Sequence, residues 1–102
     1  MQKEIQDYCD NFYALRQNRP LDISELLDVT IFIMIEANDR HETVKEKEAF
    51  ALGILKNILN KDIINMEENR LATAAMEYYV KVLKRQLLKD TSCCIYSLLK
   101  CC

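Results

Sequence analysis

The sequence predicts an all-α fold: a compact bundle of four to five helices, with a long fourth helix and a short apolar helix at the C-terminus. Three observations predict it. Only one Gly and one Pro occur in 102 residues, which leaves almost no turn chemistry for a sheet protein. Apolar residues recur at steps of three and four along most of the chain, the period of an amphipathic helix rather than of a strand. Helix-start signatures, in which Asp or Thr is followed three positions later by Glu, open the second and third segments. A chain of 102 residues supports one hydrophobic core, so residues 1–102 are expected to form a single helical domain.

The first helix places Ile5, Tyr8, Cys9, Phe12 and Leu15 on one face, with Lys3, Glu4, Asp7, Asp10, Asn11 and Arg16 elsewhere. It is expected to end near Gln17 to Arg19, because Pro20 removes a donor and pushes the residue before it out of the helical region. Asp22 and Glu25 then form a capping box, and Leu21 and Leu26 flank it as a hydrophobic staple, so a second helix is expected from residue 22 or 23. From Leu26 to Ile35 this helix is apolar on nearly every side, which places it in the centre of the bundle. Val, Ile, Thr and Phe also suit a strand. The box, the staple and the lack of a partner strand favour helix.

Asp39/Glu42 and Thr43/Glu46 are two overlapping capping boxes, so the third helix is expected to start between residues 40 and 44. Its core stripe is Val44, Ala51, Ile54, Leu55, Ile58 and Leu59, broadened by Phe50 and Leu52. Gly53 within it costs about 1 kcal/mol relative to Ala, which suggests that another helix crosses closely there. The fourth helix is expected to begin at Asp62 or Asn65 and to run to about Lys89. It carries one stripe of Leu71, Ala75, Tyr78 and Val82 and a second of Ala72, Met76, Tyr79, Leu83 and Leu87. At about 25 residues it would span roughly 38 Å, longer than a small domain is wide, so part of it is expected to project or pair with another chain. Asp90, Thr91 and Ser92 offer caps for the terminal helix, which carries Ile95, Leu98 and Leu99.

Leu52-Gly53 and Ala75-Met76-Glu77-Tyr78-Tyr79 look like pieces of a tetratricopeptide unit, but they stand about ten residues too far apart for its roughly 34-residue repeat, and no second unit follows. A solenoid is therefore not expected.

No constellation in the sequence predicts an enzyme, a metal or a cofactor. His41 is the only histidine and lacks the second one, four residues on, that a zinc-protease helix requires. Glu42, Lys45, Glu46, Lys47 and Glu48 form a charge run expected to be a solvated face with local ion pairs. The single glycine lies inside a helix, so a glycine-rich phosphate loop cannot form. Cys93, Cys94, Cys101 and Cys102 lack the spacing that presents two thiolates to one zinc. The longest uncharged apolar run, residues 29–35, is far short of the roughly 20 residues that cross a bilayer, and acids stand where a secretory signal would be apolar, so an intracellular location is expected.

What remains is a surplus of apolar helical surface, which predicts a non-enzymatic protein–protein interaction module: an adaptor, an inhibitor or a self-assembling subunit. The expected contact residues are Met76, Tyr79, Leu83 and Leu87 on the fourth helix and Ile95, Leu98 and Leu99 in the tail. Low Gly and Pro with many Asn, Ile and Lys suit a virus- or phage-encoded accessory protein. Two alternatives rest on charge. Residues 1–60 carry seven basic and eleven acidic side chains, whereas residues 61–102 carry seven and five. Lys81, Lys84, Arg85 and Lys89 therefore form a basic ridge that would suit an anionic membrane surface. The terminal pair Cys101-Cys102 resembles the double-cysteine ends of prenylated small GTPases, and that resemblance implies lipidation as the second anchoring signal. The same ridge beside Tyr78 and Tyr79 would suit a nucleic-acid backbone, although a sequence pI near 5.4 argues against it.

Overall fold

The computed structural model describes residues 1–89, and the predicted terminal helix with Cys93, Cys94, Ile95, Leu98, Leu99, Lys100, Cys101 and Cys102 lies outside them. The fold is all-α: α1 spans Gln2–Leu15, a single 3₁₀ turn Ile23–Glu25 leads into α2 at Leu26–Arg40, α3 spans Val44–Asp62 and α4 Met66–Leu87. The helix starts follow the local chemistry. Asp22 accepts from the Ser24 amide at 3.0 Å while Glu25 accepts from the Asp22 amide at 3.1 Å, closing the predicted capping box. Thr43 Oγ1 accepts from the Glu46 amide and Asn65 Oδ1 from the Glu68 amide, each at 3.1 Å. Asp39, the other candidate cap, stays inside α2.

Two boundaries differ from expectation. α1 stops at Leu15, not at Gln17 to Arg19, because Gln17 and Asn18 take left-handed φ values of 55° and 59°. The amide of Asn18 then returns to the Tyr13 carbonyl at 2.8 Å, so the helix is closed before Pro20 is reached. α4 ends at Leu87, two residues short.

The central helix is α3, not α2. Phe50, Ala51, Ile54, Leu55, Ile58 and Leu59 are all fully buried, and α1, α2 and α4 each pack on α3. Its neighbours on α1 follow at matched steps of four: Cys9 Sγ approaches the Ile54 carbonyl and the Tyr13 hydroxyl donates to the Ile58 carbonyl at 3.4 Å, so α1 and α3 run side by side in the same direction. Gly53 lies where they meet, and a Cβ there would stand 2.6 Å from Ile5 Cδ1, the close crossing that its place in the sequence suggested. α2 shows a free side instead, with Leu27, Phe32 and Ile35 exposed by 42, 56 and 47%. An apolar sequence lets a helix be buried all round, but only a helix with three neighbours is.

α2 and α4 run parallel to each other. The Leu21 amide, just before α2, donates to Asp62 at 2.8 Å, and Asn38 in the last turn of α2 accepts from the Lys89 amide, just after α4, at 3.0 Å. Between α3 and α4 the Asn69 amide donates to the Leu59 and Ile63 carbonyls at 3.0 Å, tying off the end of α3.

Glu25 also gathers the guanidinium groups of Arg16 at 3.1 Å and Arg19 at 3.4 Å. The Arg16 hydrogen bond, then the Asp22 amide, hold its carboxyl down to about 2 from an ordinary 4.5. A depressed folded-state pKa means that this contribution is complete above about pH 4.5 and is lost as pH falls towards 2. Glu25→Gln should therefore be less stable than the wild type at pH 7, and urea unfolding followed from pH 7 down to pH 2 should show the gap closing within that window. A gap that stays constant at all pH values would contradict the assignment.

Candidate interaction surface

Two adjacent stripes on α4 compete for the core, and the structure buries the one expected to face a partner. Met76 has no exposed surface, and Tyr79, Leu83 and Leu87 are partly buried against the core. These four are packing residues, which corrects their assignment as contacts. The exposed stripe is the other one, with Leu71, Tyr78 and Val82 exposed by 60, 64 and 51% and Ala75 between them. A signal for this was present in the sequence. The Leu71 stripe runs on at helical spacing into Arg85 and Lys89, whereas Ala72, Met76, Val80, Leu83 and Leu87 stay apolar to the end of the helix.

The ion pairs of α4 orient it. Glu77 lies 4.0 Å from Lys56 and Lys84 lies 3.3 Å from Glu48, so that flank faces α3. The Leu71–Ala75–Tyr78–Val82 stripe lies on the opposite flank, on the side of α2. α2 is oriented the same way. Arg40 stands over the Tyr8 ring of α1 at 5.1 Å, while Asn38 reaches Lys89 beside α4. Leu27, Ile31 and Asn38 share that second flank at helical spacing, so Leu27 and Ile31 border α4 and Phe32 and Ile35 continue the surface outward. The outer sides of α2 and α4 thus form one apolar face.

Its two edges carry opposite charge. Asp28 and Asp39 are exposed along α2, Lys81 and Arg85 along α4, and none of the four makes an ion pair among the described residues. The predicted basic ridge is divided. Lys81 and Arg85 line a shallow groove with Tyr78 and Val82, whereas Lys84 turns to α3 and Lys89 is exposed at the helix exit.

The groups with chemistry of their own are used for structure. His41 is largely covered, its ring 4.8 Å from Phe50 and its Nε2 3.0 Å from Glu4 Oε1, near enough for an ion pair when protonated but not aligned for a hydrogen bond. Burial pushes the Cys9 thiol up, away from the thiolate. Burial, with the charge of Glu36 beside it, pushes the Tyr8 hydroxyl up to about 12, and burial with Asp62 raises that of Tyr13. Among the described residues no group of three His, Cys, Asp or Glu side chains is placed to hold a metal, and no helix is long and apolar enough to cross a membrane.

Lys47 departs from the predicted solvated charge run. Only 2% of the residue is exposed, and its ammonium donates to Asn38 Oδ1 at 2.8 Å and to the Lys89 carbonyl. Helical spacing explains this, since residue 47 shares the stripe of Ala51, Ile54 and Ile58. The Asn38–Lys47–Lys89 cluster pins the exit of α4 to the end of α2.

Compared with protein-family models, with curated proteins and with solved structures, the chain gives no significant match.

Proposed function

We propose that this chain is a non-enzymatic helical interaction module that binds a protein partner through the outer face of α2 and α4. The observation that carries this reading is the grouping of six large apolar side chains, Leu27, Phe32, Ile35, Leu71, Tyr78 and Val82, on one side of the bundle while a complete core lies beneath them. Scattered exposed apolar residues are ordinary, but a contiguous group at helical spacing on two neighbouring helices is what a helix-binding surface presents. Tyr78 near its middle, with Lys81 and Arg85 at the rim, matches the aromatic anchor and polar border of protein interfaces.

The alternatives draw on Lys81, Arg85 and Lys89, since Lys84 is paired with Glu48. Asp28 and Asp39 on the same face offset most of that charge, so an anionic membrane or a phosphate backbone gains little net attraction from it. Lipidation of Cys101 and Cys102 lies outside the described residues.

A photo-reactive phenylalanine analogue placed at position 78 of the full chain in its native host tests the reading. Irradiation is expected to give a discrete protein adduct from position 78 and none from position 45, which is exposed on α3 away from this face. Phe32→Asp combined with Val82→Asp should lower the adduct yield about tenfold or more while the helical circular dichroism is unchanged. Equal labelling from both positions, or labelling of lipid or nucleic acid alone, would overturn it.

A further inference from the structure

We infer that the partner on the α2–α4 face is a second copy of this chain, seated by a two-fold axis parallel to the helices so that α2 of each protomer lies over α4 of the other. This rests on the interaction reading above and names its occupant. A two-fold interface must be complementary to itself, because every contact occurs twice with the roles exchanged. The face has that property. Read across the helices it runs from an acidic edge, through an apolar middle, to a basic edge: Asp28 and Asp39 on α2 with Phe32 in the same helix row, then Ile35, Leu27, Val82, Leu71 and Tyr78, then Lys81 and Arg85 on α4.

Rotation about an axis parallel to the helices exchanges the two edges and keeps each height along the bundle, so acid meets base. Rotation about an axis across the helices keeps each edge in place and would stack acid on acid and base on base, which repels. The heights also agree. Asn38 meets Lys89, so a residue of α2 stands level with the residue of α4 about fifty positions further on. Asp39 of one protomer then stands level with Lys89 of the other and within a turn of Arg85, while Asp28 stands near Lys81, about three residues or 5 Å along the axis and within reach of a lysine side chain. Each of the four charges that makes no ion pair within the described protomer thereby gains an opposite charge across the axis. By the same register Leu27 of one copy stands level with Tyr78 of the other and Phe32 with Val82, with Ile35 a turn further along, while Leu71 and Ala75 stand level with the residues that lead into α2.

Sedimentation of the purified full chain over a concentration series should show a monomer–dimer equilibrium. Asp28→Lys with Asp39→Lys should weaken self-association about tenfold or more, and so should Lys81→Glu with Arg85→Glu, whereas an equimolar mixture of the two variants should pair again as a heterodimer. All four positions are surface positions, so circular dichroism identical to wild type verifies that loss of pairing is not loss of fold. A strictly monomeric wild type, variants that dimerise undiminished, or a mixture that fails to pair would each overturn the proposal. If Leu98→Lys with Leu99→Lys turns a monomeric chain into a dimer, the occupant is instead the chain's own C-terminal segment, and the proposal is equally overturned. A monomeric chain that still cross-links from position 78 to a different protein sinks the self-pairing and leaves the interaction module standing. Loss of both sinks both.

Discussion

Phe50→Ala should lower the unfolding free energy by about 3–5 kcal/mol, the usual loss when a buried phenylalanine is truncated. The side chain has no exposed surface, and three side chains from α1 and the end of α2 close on it. The Tyr8 ring of α1 meets it edge-on at 6.0 Å, the His41 ring packs at 4.8 Å, and the Arg40 guanidinium lies 5.7 Å from its centroid. Truncation removes the transfer energy of the ring and opens a cavity beneath α1. A domain of this size holds about 5–15 kcal/mol in total, so the variant should be close to unfolding at room temperature. Urea titration followed by circular dichroism should show the midpoint falling while the slope is unchanged. A loss under about 1 kcal/mol would mean that α1 is not docked as described.

Asn38→Leu should cost about 2–3 kcal/mol, because it strips the Lys47 ammonium and the Lys89 amide of the oxygen that accepts from both. A buried cation left with only the Lys89 carbonyl to accept from it is penalised more than the lost bond was worth. Lys47→Met should cost less, since Asn38 keeps the Lys89 amide and a methionine fills similar space. The double variant Asn38→Leu with Lys47→Met should be more stable than Asn38→Leu alone, although it removes one more native side chain. Denaturant melts of the four proteins make a double-mutant cycle. Additive losses would show that Lys47 reaches water and is not held by Asn38.

The helices themselves were legible in residue order, because they are set by neighbours a few positions apart. The capping box of Asp22 and Glu25 and the Thr43 and Asn65 caps all act within one turn, and the structure contains each of them; Gly53 marked a close crossing without saying that α1 makes it. The inward turn of Lys47 was also written there, in its spacing from Ala51 and Ile54, but residue type was read ahead of spacing. Left-handed Gln17 and Asn18 gave no such signal, since no glycine marks the end of α1.

The sequence by itself determined that this protein is all-helical, where most of its helices begin, and that it has more apolar helical surface than a minimal core requires. Only the tertiary structure decided which helix is central, and it left outside the apolar stripe whose run into Arg85 and Lys89 already pointed to solvent. α3 is the centre because three helices pack on it, although α2 is the more apolar, and α4 turns Met76 inward and Tyr78 outward because the Ala72–Met76–Val80 side is the one packed into the core, with Lys84 and Glu77 meeting charges on α3 beside it. Periodicity states how wide a helix's apolar face is. It does not state which part of that face a neighbour will cover, because this depends on side chains far away in the chain, such as Glu48 for Lys84 and Lys56 for Glu77.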